Sequence, residues 1–227
     1  MISNQQPITV QLNNYGASLL RGRNYAKAIA TLSEAFKLNK VAFNVHIDEM
    51  YRGSKHCFGL DHCIISSRQI HNECCDECID PSIFCHAIYI PSDLDISSYR
   101  SKITVSGAVV FNLALAHHAF AMEMDCRELR EQVLRKAAKL YELGYNLQRA
   151  QGMITNSLFA LAAINNIGQI FESLGEREKA QTCFNHLLST LMFLIDCRQV
   201  NVTQFDCFFR NTSHLIFQRG ASTAEAA

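Results

Sequence analysis

Residues 71–86 read HNECCDECIDPSIFCH and place four cysteines and two histidines in sixteen positions. Thiolates and imidazoles at short spacing are the donors of a tetrahedral zinc site, commonly arranged as two short-spaced pairs. Cys75-x-x-Cys78 supplies one such pair, and His71 and Cys85 are the nearest donors for a second. Cys57 and Cys63 follow no finger spacing. The same residues admit two other readings. One is a dithiol redox pair, which needs a strand-to-helix setting to lower a thiol pKa, and that setting is not legible here. The other is an acidic, cysteine-rich loop with no ligand, which a lone Cys-x-x-Cys favours. No cofactor is therefore expected, and zinc on His71, Cys75, Cys78 and Cys85 is the alternative.

The rest of the chain offers little catalytic chemistry. His117 and His118 are adjacent, so on a helix they point in different directions and cannot share one metal. Cys183 and His186 share a helix face, but Cys183 falls in an apolar pattern. Phosphate loops, His-Glu-x-x-His motifs and nucleophile elbows are missing from the sequence. The expectation is a protein that is not an enzyme.

Bulk properties constrain the class of partner. Of the 227 residues, 48% are hydrophobic and 19% charged, the balance of a folded globular chain. The formal net charge is zero, so no whole-molecule field would draw nucleic acid or an anionic membrane. Charge is uneven along the chain: residues 1–40 carry five basic and one acidic side chain, and 41–95 carry three basic and nine acidic. The apolar run GAVVFNLALA (107–116) falls short of the roughly 20 residues a bilayer requires. The opening MISNQQPITVQLNN lacks a basic stretch followed by an apolar one, which predicts no secretory signal, reduced cysteines and a cytoplasmic or nuclear location. The sequons at Asn201 and Asn211 then read as chance matches.

The elements that must position these residues show as an internal repeat. LNNYGASLLRGRNYAKAIATLSEAFKLNK (12–40) and INNIGQIFESLGEREKAQTCFNHLLSTL (164–191) align on Asn-Asn-x-Gly. Each copy has an alanine twelve residues after the glycine, Ala28 and Ala180, and a large apolar residue four further on, Leu32 and Phe184. This is the grammar of a helical hairpin. Small residues let two antiparallel helices approach, large ones fill the space between them, and Gly22 or Gly175 turns the chain. A further copy lies between them, with Asn112 and Ala114 on its first helix and Ala137, Tyr141 and Gly144 on its second. Its alanine comes eleven residues late, about three helical turns, which longer helices absorb without changing the inward face.

These segments resemble tetratricopeptide repeats. Gly16, Ala28, Leu32 and Ala35 match in the first copy, and Gly168, Gly175, Ala180 and Phe184 in the last. The departures are the missing leading tryptophan, the missing closing proline, and Leu187 at a small-residue slot. The resemblance covers 8–40, 104–149 and 157–195. It implies a single all-α domain over 1–227, a right-handed α-solenoid of about three hairpins; Phe205, Phe208, Phe209, Leu215 and Ile216 at near-helical spacing then predict a C-terminal capping helix over 202–220, with a frayed tail at 221–227. It further implies a concave groove built from first helices. The groove positions are Asn13, Ala17, Leu20 and Arg21; Phe111, Leu115 and His118; Asn165, Gln169 and Glu172. Asn14, Asn112 and Asn166 recur at one position and are suited to bonding a peptide backbone. Family members that hold a C-terminal carboxylate use Lys and Arg where this chain has Ala162 and Asn166, so that mode is not expected.

Residues 41–101 separate the first two hairpins and are too many for a connection in a compact array. Within this insertion, 44–82 reads as a partly disordered acidic loop, and FCHAIYI (84–90), bounded by Pro81 and Pro91, as a short β-strand. The expected function is a scaffold that binds a protein or peptide in its groove through Asn13, Arg21, Phe111, Asn112, His118, Asn165, Gln169 and Glu172, with the insertion as an arm or a flap. Self-association is open, and neither nucleic acid nor membrane is an expected partner. The alternative function is a zinc-binding or thiol-based regulator that works through the insertion.

Overall fold

The computed structural model describes residues 7–52, 80–92, 94–96, 98–149, 157–196, 206–213 and 215. Regular structure among the described residues is α-helical: α1 (Ile8–Arg21), α2 (Tyr25–Arg52), α3 (Tyr99–Met122), α4 (Arg127–Arg149), α5 (Ser157–Ser173), α6 (Arg177–Asp196) and α7 (206–213). Each of α1 to α5 packs against the next in sequence, and α1 also touches α3.

The hairpins close where the small residues are. A Cβ on Gly16 would stand 2.5 Å from Leu32 Cγ, and one on Gly168 would stand 2.6 Å from Phe184 Cε1. Each glycine thus admits the large residue of its partner helix, and Ala28, Leu32 and Ala35 are wholly buried. In the middle hairpin α3 continues ten residues past Asn112, whereas α1 and α5 end seven past Asn14 and Asn166. Longer helices take up the late alanine of that copy.

The turn of the first hairpin departs from expectation. Gly22 has an ordinary φ of −81°, and the left-handed residue is Arg23 at φ 55°. Asn24 N–H donates to Leu19 O and Arg23 N–H to Leu20 O; in the last hairpin Glu176 N–H donates to Phe171 O and Gly175 N–H to Glu172 O. Arg23 is therefore the equivalent of Gly175, whose φ is +74°. An L side chain in this region costs about 1 kcal/mol or more. Arg23→Gly is expected to raise stability by about 1 kcal/mol, read as a higher denaturant midpoint at unchanged slope.

Other boundaries also differ from expectation. Helix α2 runs twelve residues beyond Lys40 to Arg52, so 44–52 is helix and not loop. Residues 53–79 lie outside the described residues. The stretch Ser101–Met122 within α3 is long and apolar enough to cross a membrane, which the run 107–116 alone did not suggest, and 89% of its most apolar window is covered by protein. Ser98 caps α3 by accepting from Ser101 N–H at 3.0 Å.

Residues 84–90 form no strand. They lie along the first helices of the hairpins, between an Asp80–Ser82 turn and a second turn at Pro91. The core has two parts. The larger spans the hairpins and takes in Phe84 and Phe208, and the smaller joins Val10, Ile90, Val105 and Ala108.

Candidate functional site: an asparagine-lined groove

Three asparagines at equivalent places on α1, α3 and α5 each grip one residue of the 82–90 segment by both backbone groups. Asn14 Oδ1 accepts from Ile90 N–H at 2.8 Å and its Nδ2 donates to Ile90 O at 2.7 Å. Asn112 does the same to Ile88, at 2.8 Å and 2.8 Å. Asn166 does the same to Phe84, at 2.9 Å and 3.0 Å. The N–H and C=O of one residue face the same side only in an extended chain, so these pairs require extended backbone. A carboxamide presents donor and acceptor side by side, as a neighbouring strand would. The asparagines thus replace the strand partner that β-prone residues 84–90 lack.

The gripped residues have one parity because alternate residues of an extended chain face one edge. Adjacent helices lie about 8–10 Å apart, close to three extended residues. Parity forbids a step of three, and the contacts fall at steps of four and two: Phe84, Ile88, Ile90. Single bonds reinforce them. Asn13 donates to Ile88 O at 3.0 Å, Asn165 to Ser82 O at 2.9 Å, and Asn211 of α7 to the same Ser82 O at 2.7 Å. The segment therefore crosses from α7 and α5 to α1, against the order of the helices.

Two side chains anchor it. Phe84 stacks on Phe208 (5.6 Å between ring centroids) and meets Phe111 edge-on at 6.3 Å. Ile90 is 3% exposed against Val10, Val105 and Ala108. Residues 85–89 between them are half-buried, and Pro81 and Ser92 beyond them are exposed.

The eight residues expected to bind a partner divide accordingly. Asn13, Asn112 and Asn165 bond the segment's backbone, Gln169 Oε1 accepts from the Ser82 hydroxyl at 3.1 Å, and Phe111 seats Phe84. Glu172 reaches only Gln169, at 3.3 Å, and Arg21 is exposed at the end of α1. His118 does not face a groove surface; it is 1% exposed, edge-on to Tyr141, with both ring nitrogens unbonded. Two contributors escaped the sequence reading. Asn211, read there as a chance sequon, is buried with Nδ2 on Ser82 O and on Asn165 Oδ1 (2.7 Å). Tyr141, placed by the repeat pattern only as a packing residue, accepts through its hydroxyl from Asn166 Nδ2 at 3.0 Å. Burial holds its phenol well above its ordinary pKa, so it stays a neutral partner. Of the candidate zinc ligands, His71, Cys75 and Cys78 lie outside the described residues, and Cys85 is half-buried in the segment. Among the described residues no three His, Cys, Asp or Glu side chains come together in a metal-binding group.

Burial sets the charge state beneath the groove. It pushes His118 down to about 4, against a smaller upward pull from Asp80, and pushes His117, beside Lys136, down to about 4 as well. An unfolded histidine titrates near 6.5, so between about pH 4 and 6.5 the unfolded chain binds more protons than the folded one. This stability is present above pH 6.5 and is lost as pH falls toward 4. At pH 5, wild type should have lost about 2 kcal/mol more than His118→Leu, relative to pH 7.5, by urea unfolding. Equal losses would contradict the assignment.

No known protein family, curated protein or solved structure matches this chain.

Proposed function

We propose that this protein is a non-enzymatic protein-protein interaction scaffold of the tetratricopeptide-like kind. The first helices of its stacked hairpins line a groove that binds an extended peptide. The observation that carries this reading is the two-bond grip of Asn14, Asn112 and Asn166 on the backbone of Ile90, Ile88 and Phe84. The grip reads N–H and C=O groups, which every non-proline residue has, so it suits recognition of chains other than this one. In this reading residues 82–90 are a ligand supplied in cis, and the insertion is the flap that covers the groove.

The test is a display library of random twelve-residue peptides screened on the full-length protein, with recovered peptides titrated by calorimetry. Asn14→Ala is the milder variant, because Asn14 is half-buried at the rim, and Asn112→Ala the stronger one. Each asparagine also holds the resident segment, so both variants are made in a Phe84→Ala, Ile90→Ala background where that segment no longer competes; there recovered peptides should bind each variant at least ten-fold more weakly at unchanged helicity. Recovery of no peptide, or of peptides indifferent to both asparagines, would overturn the proposal.

A further inference from the structure

We infer that the partner's segment carries an aromatic residue and, six positions later, a branched aliphatic one, and that it enters the groove by displacing residues 82–90. The inference rests on the peptide-binding reading above and adds the identity of the ligand and its route in. The asparagine grips leave side chains unspecified, so sequence selection falls to the seats they leave. Two of these are deep and apolar: the slot between Phe111 and Phe208 that holds Phe84, and the pocket of Val10, Val105 and Ala108 that holds Ile90. Their six-residue separation is set by the helices beneath, because Asn166 and Asn14 fix the backbone at those same two residues. A foreign segment must match that spacing to fill both. It must also lack proline at the aromatic position and at the fourth and sixth residues after it, where a gripped N–H is needed.

Displacement follows from how the resident segment lies. Its backbone is held by side chains from α1, α3, α5 and α7 and, among the described residues, by no strand, and Cys85 to Tyr89 are all half-exposed along its length. Both flanks reach the surface at Pro81 and Ser92. The segment can leave without separating one helix from another, which makes its opening a local event distinct from global unfolding.

The probe is a fluorescein-labelled peptide of residues 80–92, DPSIFCHAIYIPS, titrated by anisotropy against full-length wild type and full-length Phe84→Ala. The variant should bind it at least ten-fold more tightly, because its own segment competes less well. Replacing both anchors of the probe with alanine should cost at least ten-fold, as should deleting Ala87 to shorten their spacing. Equal affinity of wild type and Phe84→Ala, absence of binding to both, or indifference to the anchors overturns the inference. A probe carrying Ile88→Pro tests the backbone grip alone, and its failure beside a tolerated Tyr89→Pro probe keeps the peptide-binding reading intact whatever the anchors show. Should Phe84→Ala fail to fold, hydrogen exchange on wild type decides. The Phe84, Ile88 and Ile90 amides should open at least ten-fold more often than those of α3, and equal protection overturns the inference.

Discussion

Phe111→Ala is expected to lower stability by about 3–5 kcal/mol, with the segment loosened as a consequence and not as the cause. Phe111 is wholly buried, and its ring meets Tyr141 of α4 at 5.3 Å, Phe159 of α5 at 5.2 Å and Phe84 at 6.3 Å. It joins the middle hairpin to the last and forms the floor of the Phe84 seat. Removing it leaves a cavity bounded by three aromatic rings, none of which is free to collapse without losing another contact. A residue exposed in a groove would behave differently, with a stability change within about 0.5 kcal/mol and a loss of ligand only. Urea unfolding followed by circular dichroism separates the two. A cost under about 1 kcal/mol would remove Phe111 from the core.

Phe111 also marks what local sequence pattern can reveal. The repeat grammar placed Gly16 against Leu32 and Gly168 against Phe184, because a small residue facing a large one at helical spacing is a local signal. Repetition also marks Asn14, Asn112 and Asn166, which recur at one position, as suited to bonding a peptide backbone, since a carboxamide offers a donor and an acceptor together. What filled the groove was not legible. Ile90 is 76 positions from Asn14, and no periodicity links the two. The β-branched and aromatic composition of residues 84–90 predicts extended backbone correctly and a strand partner incorrectly, because a side-chain amide satisfies an edge as well as a strand does. Arg23 took the role assigned to Gly22 because the left-handed position is one residue further on, where the other copy has Gly175. Asn211 belongs to no repeat, so no periodicity marks its part in holding Ser82. His118 was placed on the groove face by analogy with its repeat position, but α3 is covered on that side and the ring is enclosed.

Asn166→Ala should cost about 3 kcal/mol, and the size of that loss should depend on whether Phe84 is present. Asn166 is wholly buried and serves four groups: the N–H of Phe84, its C=O, the Tyr141 hydroxyl, and the Asn165 carboxamide, which donates to its Oδ1 at 3.2 Å. Asn165 keeps its bond to Ser82 O, but alanine would strand the other three, and stranded buried polar groups cost about 1–3 kcal/mol each unless water reaches them. Water can reach two of them if the segment lifts away, which limits the loss to the segment's own docking energy plus that of the Tyr141 bond. Phe84→Ala alone should cost about 3 kcal/mol through the emptied seat between Phe111 and Phe208. The segment can be released only once, so the double variant should cost about 4 kcal/mol and not about 6. Full additivity would mean that residues 82–90 are an inseparable part of the core, whereas a coupling of about 2 kcal/mol marks them as a unit that opens by itself. The cycle needs only equilibrium unfolding of four full-length proteins, and it reads the energetic separateness of the segment without any external ligand.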